Sequence, residues 1–174
     1  LRKILESDMS LLKDDDLQDI IRHSFQVLNI RNSSDKNVDE QKTENGQDEI
    51  VETVSYDDYE IKEACAFLES ACKAIQGNDD FLLQQVLKRI HALENISKSS
   101  FQSYPSNTDI SIALLNSARL LLERKSNPQV SKAMLQFAIH NFDLVTELNN
   151  IDLRSSFIDI IKSCLSGDSL SDEE

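Results

Sequence analysis

Apolar residues recur along most of this chain at intervals of three and four, the spacing that places side chains on one face of an α-helix. Leu17, Ile21, Phe25 and Leu28 step by 4, 4 and 3 and predict a helix ending near Ile30. Ile61, Cys65, Leu68, Cys72 and Ile75 step by 4, 3, 4 and 3, a narrow seam suited to a facing helix. Leu83, Val86, Leu87, Ile90 and Leu93 form the next stripe, and Ile110, Leu114, Ala118 and Leu121 another, widened by Leu115 and Leu122. Val130, Met134, Ala138, Phe142 and Val145, joined by Leu135, Phe137 and Ile139, cover more than half the circumference of one helix. That breadth marks it as the central, most buried element. Leu153, Phe157, Ile158, Ile161, Cys164 and Leu165 make the last stripe, and Leu1, Ile4 and Leu5 begin a short amphipathic start running to about Met9.

The breaks between stripes carry helix start and stop signals. Asp14-Asp15-Asp16 and Asp79-Asp80 set carboxylates where unpaired N–H groups and the helix dipole favour them. Gly77-Asn78 suits a C-terminal cap, and Asn127-Pro128 a restart, with Asn as cap and Pro in the first turn. Ser97 to Asn107, containing Phe101, Tyr104 and Pro105, is expected to be a polar loop, after which Asn107 or Thr108 caps the next helix. Gly167 stops the last one.

The expected fold is therefore all-α, with six or seven helices and no sheet. Helix starts near 57, 79, 108, 127 and 151 make alternate-helix units whose lengths approach the HEAT/armadillo range of about 40–47 residues. No residue-level self-similarity accompanies that spacing. Periodicity defines helices but not their connectivity in space, so an irregular HEAT/armadillo-like solenoid segment and a compact helical bundle both satisfy it. The chain divides into an N-terminal helical pair at 1–31, an acidic insert at 32–56, a helical body at 57–166 and an acidic tail at 167–174.

Charge changes the picture at the insert. The chain of 174 residues has 31 Asp and Glu against 18 Lys and Arg, a formal charge of −13. Residues 32–60 hold ten of those acids and two lysines, a net −8. From Asn32 to Gln47 the only strongly apolar residue is Val38, too little burial to offset the entropy of ordering. The insert is expected to be disordered, with Ile50-Val51-Glu52-Thr53-Val54 as an isolated strand or docking segment. Its carboxylates, Asp48, Glu49 and Glu52 among them, are candidate contacts for a basic partner; a solvated spacer satisfies the same composition. Ser55, Ser169 and Ser171 each have an acid three residues on, as acidophilic kinases prefer.

Chemistry-bearing motifs are missing. Gly46, Gly77 and Gly167 stand alone, which excludes P-loop and dinucleotide fingerprints and the G-x-S-x-G elbow. No histidine follows a glutamate by three, no His-Glu-x-x-His occurs, and the cysteines lack zinc spacing, so no metal or cofactor is expected. His91 and His140 sit at the edges of apolar faces, where a hydrogen-bonded boundary histidine is the ordinary reading. A cleft joining Cys72 to His91 would indicate a nucleophile pair instead. Arg124 and Lys125 fall at a helix C-terminus, where cations suit the dipole.

The odd count of Cys65, Cys72 and Cys164 favours a reducing, intracellular compartment, in cytoplasm or nucleus. The start, without an initiator Met, suggests a piece of a longer chain. Net charge disfavours nucleic acid, and no apolar run approaches the roughly 20 residues of a membrane span. These features together suggest a non-catalytic protein–protein interaction module of a scaffold or regulatory protein. Apolar residues off the main stripes, Ile112, Leu120 and Ile160, would line its groove. An assembly factor whose acidic loop binds a basic client is the alternative.

Overall fold

A computed structural model describes residues 14–28, 56–74, 79–94, 96–125 and 127–168, and every regular element among them is an α-helix. The all-α class is confirmed, with eight helices among the described residues. They are α1 (Asp14–Val27), α2 (Asp58–Ala74), α3 (Asp79–Leu93), α4 (Lys98–Ser103), α5 (Ser106–Arg124), α6 (Pro128–His140), α7 (Phe142–Glu147) and α8 (Ile151–Asp168). The helix near 1–9, most of the acidic insert with Asp48, Glu49 and Glu52, and the tail beyond Asp168 lie outside the described residues.

Short polar side chains open the helices. Ahead of α2, the Asp57 N–H donates to Glu60 Oε2 at 3.0 Å and the Glu60 N–H donates back to Asp57 Oδ1 at 2.8 Å, a reciprocal capping box. Asn127 Oδ1 accepts from the Val130 N–H at 3.2 Å ahead of Pro128, and Asn150 Oδ1 accepts from the Leu153 N–H at 2.9 Å. Each cap satisfies an amide that has no partner inside its helix.

The extra helices come from two places where local chemistry overrides the stripe pattern. The expected loop after Ser97 holds α4: Ser97 Oγ accepts from the Ser100 N–H at 3.3 Å, and Phe101 anchors the turn in the core. Six residues with one apolar anchor are too few to display a period. Asn107 does not cap α5. It lies inside the first turn, fully buried, and its Nδ2 donates to the Ser100 carbonyl at 3.2 Å, tying α4 to α5. The second place is Asn141, which divides the expected helix over 128–145. Its Nδ2 donates to the Phe137 carbonyl at 2.9 Å, a side chain competing for the acceptor of the helical ladder.

The centre also moves. α5, not the helix after Pro128, is the most buried element: none of its residues from Ser106 to Leu122 is exposed. It packs against α2, α3, α4 and α8, and α6 packs on α8. Small residues at Ser111, Ala113, Ser117 and Ala118 let those neighbours approach. α6 keeps Ile139 64% exposed, so its surplus of apolar residues is surface rather than core. α1 docks on α2 through Ile21, Phe25 and Leu28, each contributing about 1.5–3 kcal/mol by burial.

Two arginines fasten helix ends. Arg89 of α3 donates from Nε and Nη2 to the Phe25 carbonyl at 3.1 and 2.7 Å, in the last turn of α1. Arg124 at the end of α5 donates to the carbonyls of Cys72 and Lys73 in the last turn of α2, and pairs with Asp79 at 2.9 Å. Lys125 pairs with Asp80 at 2.6 Å. The cations expected to serve their own helix dipole thus cap a neighbouring helix and bind the start of a third.

Candidate functional site

α3 and α6 are parted by a groove of about 720 Å³. Its α6 wall follows from the helical repeat. Val130, Met134 and Phe137 step by 4 and 3 toward the core, while Gln129, Ala133, Gln136 and His140 form the flank beside them. The α3 wall is built by Leu87, Ile90 and His91, with Glu94 just past the helix end. Ile90, Met134 and Phe137 are buried and make the floor, Leu87 and Val130 are half-buried, and the flank residues are exposed. Phe137 is held by stacking on Phe157 of α8, ring centroids 5.8 Å apart. Ala133, a methyl group between two glutamines, leaves the space that a larger side chain would fill.

The rim is polar and sparsely charged. His91 Nδ1 lies 3.2 Å from Glu94 Oε1. His140 and Asn141 close the other wall, and no cysteine reaches the groove. Cys72, whose pairing with His91 would have signalled a nucleophile, is fully buried, as is Cys164, and Cys65 is nearly so. Burial pushes the Cys65 thiol up to about 12, with Asp109 and Glu69 adding to the rise. Burial likewise pushes Cys72 up to about 11, partly offset by the Ser117 hydroxyl and Arg124. Thiols held protonated in this way are poor nucleophiles and poor metal ligands. No group of three or more His, Cys, Asp or Glu side chains placed to hold a metal occurs among the described residues. No helix among them is long and apolar enough to cross a membrane.

The residues expected to line a groove sit elsewhere. Ile160 is 0% exposed, a core residue of α8, because the buried face of that helix runs through Leu153, Phe157, Ile160 and Cys164 rather than through Ile158 and Leu165. Ile112 and Leu120 are half-buried against the core on the enclosed α5. None of the three borders the space between α3 and α6. The signal that marks the groove in the sequence is the surplus of apolar residues on the helix after Asn127. Burial at the centre and an open apolar flank produce the same surplus, so composition alone did not separate them.

Comparison with protein-family models, curated proteins and solved structures finds no match to this chain, and the reading of the site rests on its geometry.

Proposed function

We propose that this chain is a non-catalytic interaction module that receives a helical segment of a protein partner in the groove between α3 and α6. The observation that carries this reading is the groove itself: a trough of about 720 Å³ between two helices, with half-buried Leu87 and Val130 on its walls over a buried floor of Ile90, Met134 and Phe137. An amphipathic helix lays its apolar face into such a trough, and a methionine in the floor adapts to different side chains. The buried, protonated thiols support a role without nucleophilic chemistry, and as free cysteines they support a reducing, intracellular setting. A scaffold or regulatory protein uses a module of this kind.

The test is selection from a displayed library of amphipathic helices with apolar positions at i, i+3, i+4 and i+7. Wild type should enrich binders, and Ala133→Trp, which fills the trough from an exposed position, should weaken them at least about tenfold while far-UV circular dichroism stays unchanged. Equal binding by the two proteins would remove the groove as the docking site.

A further inference from the structure

Exposed apolar side chains gather on α6, α7 and α8. Tyr59 apart, every large apolar residue that stands exposed among the described residues is there: Ile139, Phe142, Ile151, Ile158 and Leu165. Ile139 lies roughly a third of a turn around α6 from Ala133 and is not part of the groove lining. On α8, Ile151, Ile158 and Leu165 recur every seven residues, Ile151 79% and Leu165 55% exposed, with half-buried Ile161 between them. That spacing is the seam of a helix that packs lengthwise against another, and it runs for about 21 Å. Hydrogen bonds join this seam to the rest of the surface. Arg154 of α8 donates from Nη2 to the Thr146 carbonyl of α7 at 3.3 Å, and Thr146 Oγ1 donates to the Phe142 carbonyl at 2.9 Å.

Arg154 stands three residues after Ile151 and four before Ile158, inside the seam itself. It is half-buried, its Nε is enclosed without an acceptor, and it makes no ion pair among the described residues. Arg119 also has an enclosed Nε, but Glu123 neutralises that guanidinium at 2.8 Å. The acids of α8 are turned elsewhere: Asp152 and Asp159 follow Ile151 and Ile158 by one residue, about 100° around the helix, and Asp159 faces Lys162 at 3.5 Å. A partly desolvated cation among apolar side chains is costly, and a carboxylate brought by a partner relieves it. We infer that α8, with the adjoining ends of α6 and α7, is a second docking surface. Its occupant is an amphipathic helix of another protein that carries a carboxylate within its apolar stripe, opposite Arg154. A polar residue at one seam position sets register and partner in this way. The same charge argues against a second copy of the chain. An antiparallel seam with Ile151 opposite Leu165 lays Arg154 opposite Lys162, and a parallel seam lays Arg154 on itself. The inference does not depend on the groove between α3 and α6.

A displayed library of helices of about 20 residues, with leucine fixed at heptad spacing and one position of that stripe randomised, tests this on the intact chain. Wild type should enrich binders that are lost with Ile151→Lys plus Leu165→Lys, two exposed positions, and kept with Ala133→Trp. Asp or Glu should dominate the randomised position. Its replacement by Lys in a synthetic copy should weaken binding about tenfold or more by fluorescence anisotropy. Arg154→Glu should reverse that order and Arg154→Met should level it, with far-UV circular dichroism unchanged. No enrichment of acids, or a preference for them that survives Arg154→Met, would overturn the pairing with Arg154. An absence of binders, or binders lost with Ala133→Trp and indifferent to the double lysine variant, would overturn the surface while leaving the groove to its own test. A dimer in sedimentation that the double lysine variant abolishes would assign the seam to a second copy and overturn the inference.

Discussion

Cys65 shows how a single buried side chain ties the stability of this protein to pH. Its thiol is raised from an ordinary value near 9 to about 12, chiefly by burial, and that of Cys72 to about 11. Below pH about 9 both the folded and the unfolded chain hold these protons, and the contribution is fully present. As pH climbs from about 9 toward 12, the unfolded chain releases protons that the folded one keeps, so ionisation favours unfolding. Urea unfolding should therefore show stability falling as pH rises from about 9 toward 11, with a smaller fall in Cys65→Ala than in wild type. An identical pH slope in the two proteins would show that the Cys65 thiol is not held protonated by its surroundings. Under native conditions at neutral pH, all three cysteines belong to the packed interior rather than to any site.

At the scale of elements, the joints decide what the stripes cannot. Between α7 and α8 the chain turns at Asn149, whose φ of 51° lies in the left-handed region, and Asn150 then caps α8. Asn tolerates that conformation and Gly adopts it freely, while a β-branched residue clashes with its own backbone there. Asn149→Gly is expected to leave the melting temperature within a degree or two, and Asn149→Val to cost about 1–2 kcal/mol, both read by thermal unfolding. Comparable losses in the two variants would mean the side chain, not the backbone, matters at this position. The legible parts of the sequence share one property: each is long enough to repeat. α2, α3, α5 and α8 announce themselves through three or four turns of apolar spacing, and Asp79 and Asn127 mark starts by chemistry local to the first turn. α4 was hidden because one buried Phe101 shows no period. The division at Asn141 was hidden because an amide that competes with the ladder leaves the apolar spacing intact across it. Ile160 was misplaced for a related reason, since Ile158, Ile160 and Ile161 occupy three different directions around α8 and only packing selects among them. The groove was visible only as an excess of apolar residues whose direction the sequence does not specify.

At the scale of the whole molecule, scarce positive charge is used as fastening. Arg124 joins the end of α2, the start of α3 and the end of α5 in one cluster, and Arg89 holds α1 against α3. Arg124→Ala removes partners from carbonyls that no helix satisfies and leaves Asp79 unpaired. Hydrogen bonds from charged donors contribute about 1.5–3 kcal/mol each, so the variant should unfold at a clearly lower denaturant midpoint. Arg124→Lys should recover only part of the loss, because a single ammonium cannot reproduce the planar fork. A midpoint for Arg124→Ala equal to wild type would show the cluster to be ornamental. α5 adds a consequence of another sort. Buried or half-buried from Ser106 to Leu122 and crowded around Ser111, Ala113, Ser117 and Ala118, it leaves no room on its packed faces for a larger side chain, and overpacking costs about 1–3 kcal/mol. Substitution is thereby tolerated less along the axis than on the peripheral walls, so that the groove-lining faces of α3 and α6 can vary while the frame that spaces them stays constant.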